Sequence, residues 1–326
     1  MSDFPIVSDS QSWEDVQALL EAAGLHDGLP LVPPTEARLA AMLAGVADPD
    51  LSLGFMPPLF GEITPRSVAY NAVLAGCRPA ELKVVTAAVL ASLEPELNLL
   101  GVATTTGAAA IATVVHGPIV AEFGLNAGVN CLGPGNRANA SIGRAMSLCL
   151  LNIGGARAGS GDMATCGQPG KYTFCFAERE GGPYPPLHAR RGFAAGTSAV
   201  TVMALSGTAE VLPLRAEDGG DAEPDAILDA LAIAMRASFQ TNGASWQPER
   251  PQQAFILPLE LAERLSSVGI GLPQVQQYLF DAGTAAGTPI ASGPEEIFPI
   301  VTGGPGVKMA YLPLWGGGSR MVTRAI

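Results

Sequence analysis

Apolar positions recur at helical spacing through the first third of the chain and at strand spacing in several later stretches. Trp13 through Leu20 reads as an amphipathic helix within residues 11 to 24, with Ser12 placed to cap it. Thr35 can cap a helix beginning at Glu36, and Thr64 with Pro65 at the first helical position announces another. Pro79 can start the next. From about residue 110 the β-branched and aromatic stretches "IATVVHGPI", "KYTFCFAE" and "SAVTVMAL" predict strands. Beyond residue 222 the pattern predicts a helix over 224–239, a strand at "AFILPL", helices near 259–268 and 272–282, and strands at "IFPIVTGG", "KMAYLPLW" and "RMVTRAI".

Strands alternating with helices predict a mixed α/β fold, with α+β as the variant: a layered sheet, flanking helices and a helical, Pro-rich N-terminal region. Three regions follow: a mainly helical one over 1–100, a candidate active-site α/β region over 101–222 and a C-terminal α/β region over 223–326. Together they can form a single compact unit. The stretch "RAEDGGDAEPDA" reads as an exposed loop or seam.

The most informative helix is "GPGNRANASIGRAMSLCLLNIGG". Ile142, Met146, Cys149 and Ile153 fall on one apolar stripe, while Arg137 and Arg144, seven residues apart, lie about 20° apart around the axis with Ser141 between them. The apolar face is expected to dock and the arginine line to face outward or into a cleft. Acidic residues outnumber basic ones by 30 to 18 for a net charge of −12, so the arginines between 137 and 157 stand out as a place for an anion. That balance, without a basic cluster, argues against a nucleic-acid partner.

The N-terminus has no basic n-region ahead of an apolar core, and apolar runs fall short of the roughly 20 residues of a membrane span, so a cytoplasmic, soluble protein is expected with no membrane partner. The five cysteines are odd in number and widely spaced, which favours free thiols over disulfides. With three histidines and no zinc-finger spacing, no metal is expected and no cofactor is assigned.

Candidate chemistry concentrates between residues 100 and 190. Thr104, Thr105 and Thr106 can bind a ligand or cap a following helix. Asn126, Asn130 and Cys131 precede the arginine helix, where its dipole and guanidinium groups would favour a thiolate. In "KYTFCFAE" the alternation sets Lys171, Thr173, Cys175 and Ala177 on one face and Tyr172, Phe174, Phe176 and Glu178 on the other. Glu178 is the candidate acid or base, or the partner of an arginine. His116 is a second base within the candidate catalytic set, although it and His188 also read as hydrogen-bonded structural histidines. Asp162, Cys166 and Lys171 occupy a Gly-rich loop suited to a ligand lid.

The combination of "DGLPLVPPT", "NAVLAGCRP", "GPGNRANASIGRA", "GQPGKYTFCFAE" and "IVTGGPG…WGGGSRMVTRAI" resembles a bacterial family associated with UGSC-motif (seleno)proteins, over nearly the whole chain. The resemblance implies thiol or selenol chemistry. The chain itself has no Cys-Gly-Ser-Cys motif, so a separate small thiol or selenol protein, or a cysteine of its own, would have to supply the group.

Two readings follow. In the first the protein is a small-molecule enzyme, an oxidoreductase or lyase acting on an anionic, carboxylate metabolite by reductive or eliminative bond cleavage. Cys131, Glu178 and His116 are then catalytic, and Arg137, Arg144, Asn130, Asn126, Thr105, Thr106 and Ser141 bind substrate. In the second it is a non-catalytic subunit completing a thiol or selenol partner's site, docking through an exposed tail at Trp315. A homo-oligomer is compatible with either.

Overall fold

The computed structural model describes residues 4–213, 223–241, 249–284 and 287–326; the stretch "RAEDGGDAEPDA" lies largely outside them. Helices and strands alternate in the α/β manner, and the local signals act where they stand. Ser12 accepts the N–H of Asp15 at the start of α1 (Trp13–Ala22), Thr35 caps α2 (Glu36–Met42), and Thr64 with Ser67 forms a capping box on α3 (Pro65–Ala75). Between α2 and α3 lies a small hairpin, β1 (Gly54–Met56) and β2 (Gly61–Ile63). Pro79 opens a single 3₁₀ turn that leads into α4 (Leu82–Ser92), and α5 (Leu99–Thr104) and the short α6 (Ile119–Glu122) follow.

Two four-stranded sheets form the centre. The first runs in the order β10 (Val322–Ala325), β5 (Ala199–Leu205), β3 (Ala110–His116), β4 (Cys175–Ala177); the second runs β6 (Ala209–Val211), β9 (Met309–Leu312), β7 (Gln253–Leu257), β8 (Ile297–Val301). Each holds one parallel pair, β3 with β4 and β7 with β8, among antiparallel neighbours.

The two-residue period of each strand decides which layer a side chain enters. On one face of the first sheet Ile111, Val115, Val200 and Val202 meet α3, α4 and α7 (Arg137–Asn152). On the other, Ala112, Val114, Phe176 and Met203 meet Ala254, Ile256, Phe298 and Ile300 of the second sheet. The outer face of that sheet, with Phe255, Leu257 and Tyr311, packs on α9 (Pro224–Thr241), α10 (Leu259–Ser267) and α11 (Leu272–Gly283). The order of layers is helix, sheet, sheet, helix. Every residue of β3 and β5 is buried, as expected for strands covered on both faces. The stripe Ile142, Met146, Cys149 and Ile153 of α7 is buried in the first helical layer.

Three local expectations need correction. The strand at "KYTFCFAE" is only Cys175–Ala177; Pro169–Lys171 is a 3₁₀ turn instead. The segment before the strand lies against α7, where Thr173 donates to the carbonyl of Ala140. A Cβ on Gly143 would come within 2.5 Å of Thr173 Oγ1 and 2.7 Å of the Phe174 nitrogen, so glycine is required for that approach. No helix follows Thr104 to Thr106; they close α5 and turn into β3, with Thr105 Oγ1 accepting the N–H of Gly107. The Trp315 segment is no exposed tail: Trp315 is part-buried against the first core and its N–H bonds to Ala204. Among the described residues no single helix is long and apolar enough to cross a membrane.

Candidate functional site

The arginine line of α7 is answered within the chain. Arg137 is held by both oxygens of Glu81, a carboxylate only 2% exposed that also accepts the Arg78 N–H. Arg144 donates from Nε and Nη2 to the two oxygens of Asp27, both at 2.8 Å, and to the carbonyls of Pro30 and Leu29. Burial pushes the Asp27 carboxyl up, but the bonds from Arg144 and Leu29 outweigh it and leave its pKa below the usual value. The expectation that these two guanidinium groups wait for a substrate is therefore corrected: each already has a bidentate carboxylate. Ser141, between them, is buried near the end of α3.

Arg157 differs. Its guanidinium donates to the carbonyl of Gly24, and no ion pair reaches it among the described residues. It borders a cleft of about 380 Å³ whose apolar wall includes Leu99, Val102, Ile111 and Leu150, with Asp27, Asp162, Lys171 and Tyr172 also lining it. The Gly-rich loop builds this rim: the Arg157 carbonyl takes the N–H groups of Ser160, Gly161 and Asp162 at 2.8 to 3.1 Å, drawing the loop into a tight turn. A Cβ on Gly161 would fall 2.3 Å from the Gly155 oxygen, so only glycine fits there. Asp162 pairs with Lys171 at 2.5 Å. Lys171 and Tyr172, expected on opposite faces of a strand, line the same cleft because the chain there is a turn.

Cys131 lies elsewhere, in a separate hollow beside Gln168, Gly170 and Thr173. It stands five residues before the Asn136 cap of α7, with the Gly133 to Gly135 turn between. Burial raises the thiol pKa, a rise only partly offset by the hydroxyl of Thr302 and by the backbone N–H groups of Cys131 and Leu132. The expected thiolate stabilisation is thereby overturned: desolvation dominates. No hydrogen bond or ion pair joins it to Arg137, Glu178 or His116 among the described residues. The asparagines around it build the loop. Asn139 donates to the carbonyls of Asn126 and Cys131, Asn126 accepts the N–H of Gly128, and Asn130, at a φ of 59°, donates to the carbonyl of Pro134.

His116 and Glu178 do meet. They close the ends of β3 and β4 on the inter-sheet side, with His116 Nδ1 2.8 Å from Glu178 Oε2 and His116 Nε2 2.8 Å from Thr201 Oγ1. Thr201 Oγ1 continues to Thr323 Oγ1 on β10. Glu178 also accepts the N–H of Leu187, the first residue of the short helix α8 (Leu187–Arg190), whose buried His188 and largely buried Arg190 complete a polar cluster. Arg190 Nη2 lies 3.7 Å from Glu178 Oε1 and 2.5 Å from the Pro299 carbonyl. Desolvation lowers the His188 pKa, His116 adds to this, and Glu178 and Glu180 oppose it, so the ring is favoured neutral.

Sequence reasoning singled out His116 and Glu178 but missed Arg190, Glu81 and Asp27 as their or the arginines' partners. His188 carried a usable signal, ten residues after a carboxylate that ends an aromatic strand face. Comparison with family models, with curated proteins and with solved structures found no match.

Proposed function

We propose that the protein is a small-molecule enzyme whose anionic, carboxylate-bearing substrate occupies the cleft beside Arg157. The observation that carries this reading is the contrast among three arginines: Arg137 and Arg144 are matched by carboxylates, whereas Arg157 brings its charge to an apolar-walled cleft with a backbone carbonyl as its partner. A guanidinium so placed can take a carboxylate through two parallel hydrogen bonds, while Leu99, Val102 and Leu150 cover the apolar body of the ligand. Lys171 and Asp162 put a proton donor and an acceptor on the same rim. Among the described residues no hydrogen bond or ion pair links Cys131 to a cation or base, so the reading includes no thiol step and rests on the cleft rather than on the family resemblance.

The test is thermal unfolding with a panel of aliphatic and aromatic carboxylates. A ligand bound only by the folded state raises the midpoint as its concentration exceeds its Kd. The expected result is a rise with at least one carboxylate that Arg157→Lys weakens by about 1–3 kcal/mol of binding free energy, the range for a charge-assisted hydrogen bond. An equal rise in Arg157→Lys and Arg157→Met, or none with any carboxylate, overturns the reading.

A further inference from the structure

We infer that His116, Glu178 and His188 form a binding site for a divalent transition-metal ion of the zinc class. Each offers one ligand atom, and these atoms all lie within 4.8 Å of one another between the two sheets, in a cluster where all three residues are buried.

The independent observation is His188. It is 1% exposed, yet neither ring nitrogen has a hydrogen-bond partner among the described residues. A buried imidazole left without a partner is costly, and the nearest acceptor and hydroxyl are already engaged. Glu178 Oε2 is used by His116 and Leu187, and the Thr201 hydroxyl by His116 and Thr323. Among the described residues nothing meets His188, which leaves its ring open to a ligand that the protein binds.

The donor set selects the kind of guest. Two imidazoles and one carboxylate suit zinc and its neighbours, whereas magnesium and calcium take oxygen ligands. Three protein ligands leave a fourth position open, as in zinc sites that bind water or a substrate. The outer contacts are also those a ligating histidine needs: His116 can donate from Nε2 to Thr201 while Nδ1 is directed at the metal, and the Leu187 N–H fixes Glu178.

Arg190 bears on the fourth ligand. It sits two residues beyond His188, and its Nε and Nη1 are buried without partners. A dication beside one carboxylate and one guanidinium leaves an excess of positive charge. That excess favours an oxygen anion, hydroxide or another, as the fourth ligand, with Arg190, whose Nη2 lies 3.7 Å from Glu178 Oε1, adding to the positive field.

The experiment uses the full chain, stripped with a chelator, then equilibrated with zinc and measured by elemental analysis, with cobalt(II) absorption as the spectroscopic readout. The expected result is one equivalent of zinc, and a cobalt spectrum of nitrogen and oxygen ligands without a thiolate charge-transfer band. His188→Gln should lower zinc affinity by at least about tenfold, and Thr201→Val, which keeps all three ligands, by a similar factor. Cys166→Ser, which removes the exposed thiol, should change neither. Failure of the wild type to take up zinc, or a thiolate band that Cys166→Ser abolishes, overturns the inference. So does uptake unchanged in His188→Gln with a native far-ultraviolet spectrum; if that variant does not fold, unchanged uptake in Thr201→Val overturns it equally.

Discussion

At the Ala110 end of β3, Arg157 meets a carbonyl and borders a cleft, whereas at the His116 end Glu178 is buried and Arg190 on α8 nearly so. The same strand thus connects a charge that solvent or a ligand can reach with charges that must be balanced by their neighbours. The difference is one of consequence. A buried ion pair broken by removing one partner leaves the other stranded in low dielectric, while a charge at an open rim falls back on water.

Glu178→Ala should sharpen the contrast most. It strands Arg190 and deprives His116 Nδ1 and the Leu187 N–H of their acceptor, so urea denaturation should show a loss of about 3–5 kcal/mol, the cost of breaking a buried pair. A loss below about 1 kcal/mol, the level of an exposed pair, would mean that water reaches the inter-sheet cluster and would erase the distinction between the two ends. Arg144→Met is intermediate, because its side chain is 15% exposed and Asp27 11%. The stranded carboxylate keeps the N–H of Leu29, and the same measurement should register about 1–3 kcal/mol.

Acid should separate Asp27 from the rest. Its folded pKa lies below the unfolded one, so its contribution is present above the unfolded value of about 3.9 and is lost as pH falls through the folded value. The stability gap between wild type and Asp27→Asn should therefore close progressively as the pH is lowered from about 4, and a gap that widens on acidification would reverse the assignment. The smallest stability change belongs to Arg157→Met, expected at about 0.5–1.5 kcal/mol for the loss of one part-buried hydrogen bond to the Gly24 carbonyl. A drop as large as that of Glu178→Ala would make Arg157 a structural residue and deprive the cleft of its special arginine.

The helices capped by Ser12, Thr35 and Thr64 and the apolar stripe of α7 were legible in the sequence because a cap and a 3.6-residue period are local instructions. The strands of both sheets were legible as segments, yet their arrangement in two sheets was not, since pairing is decided by residues far apart. The candidate site divides in the same way. Glu178 ends an aromatic face, and its position was readable, but its meeting with His116 depends on the parallel register of β3 and β4. For Arg137 and Arg144 the spacing correctly put them on one line, while Glu81 and Asp27 come from other elements and cancel the expected role. The cysteine reading failed on desolvation, which no local spacing reveals.

The place of β10 has a kinetic consequence. It pairs with β5 in the first sheet, although the chain makes all of the second sheet between them. Closing so long a loop is slow relative to forming local helices, and until it closes, β5 presents Val200 and Val202 along an unpaired edge. The refolding chain should therefore pass through a species that associates through this edge at high protein concentration, and deletion of residues 322–326 should make that association persist.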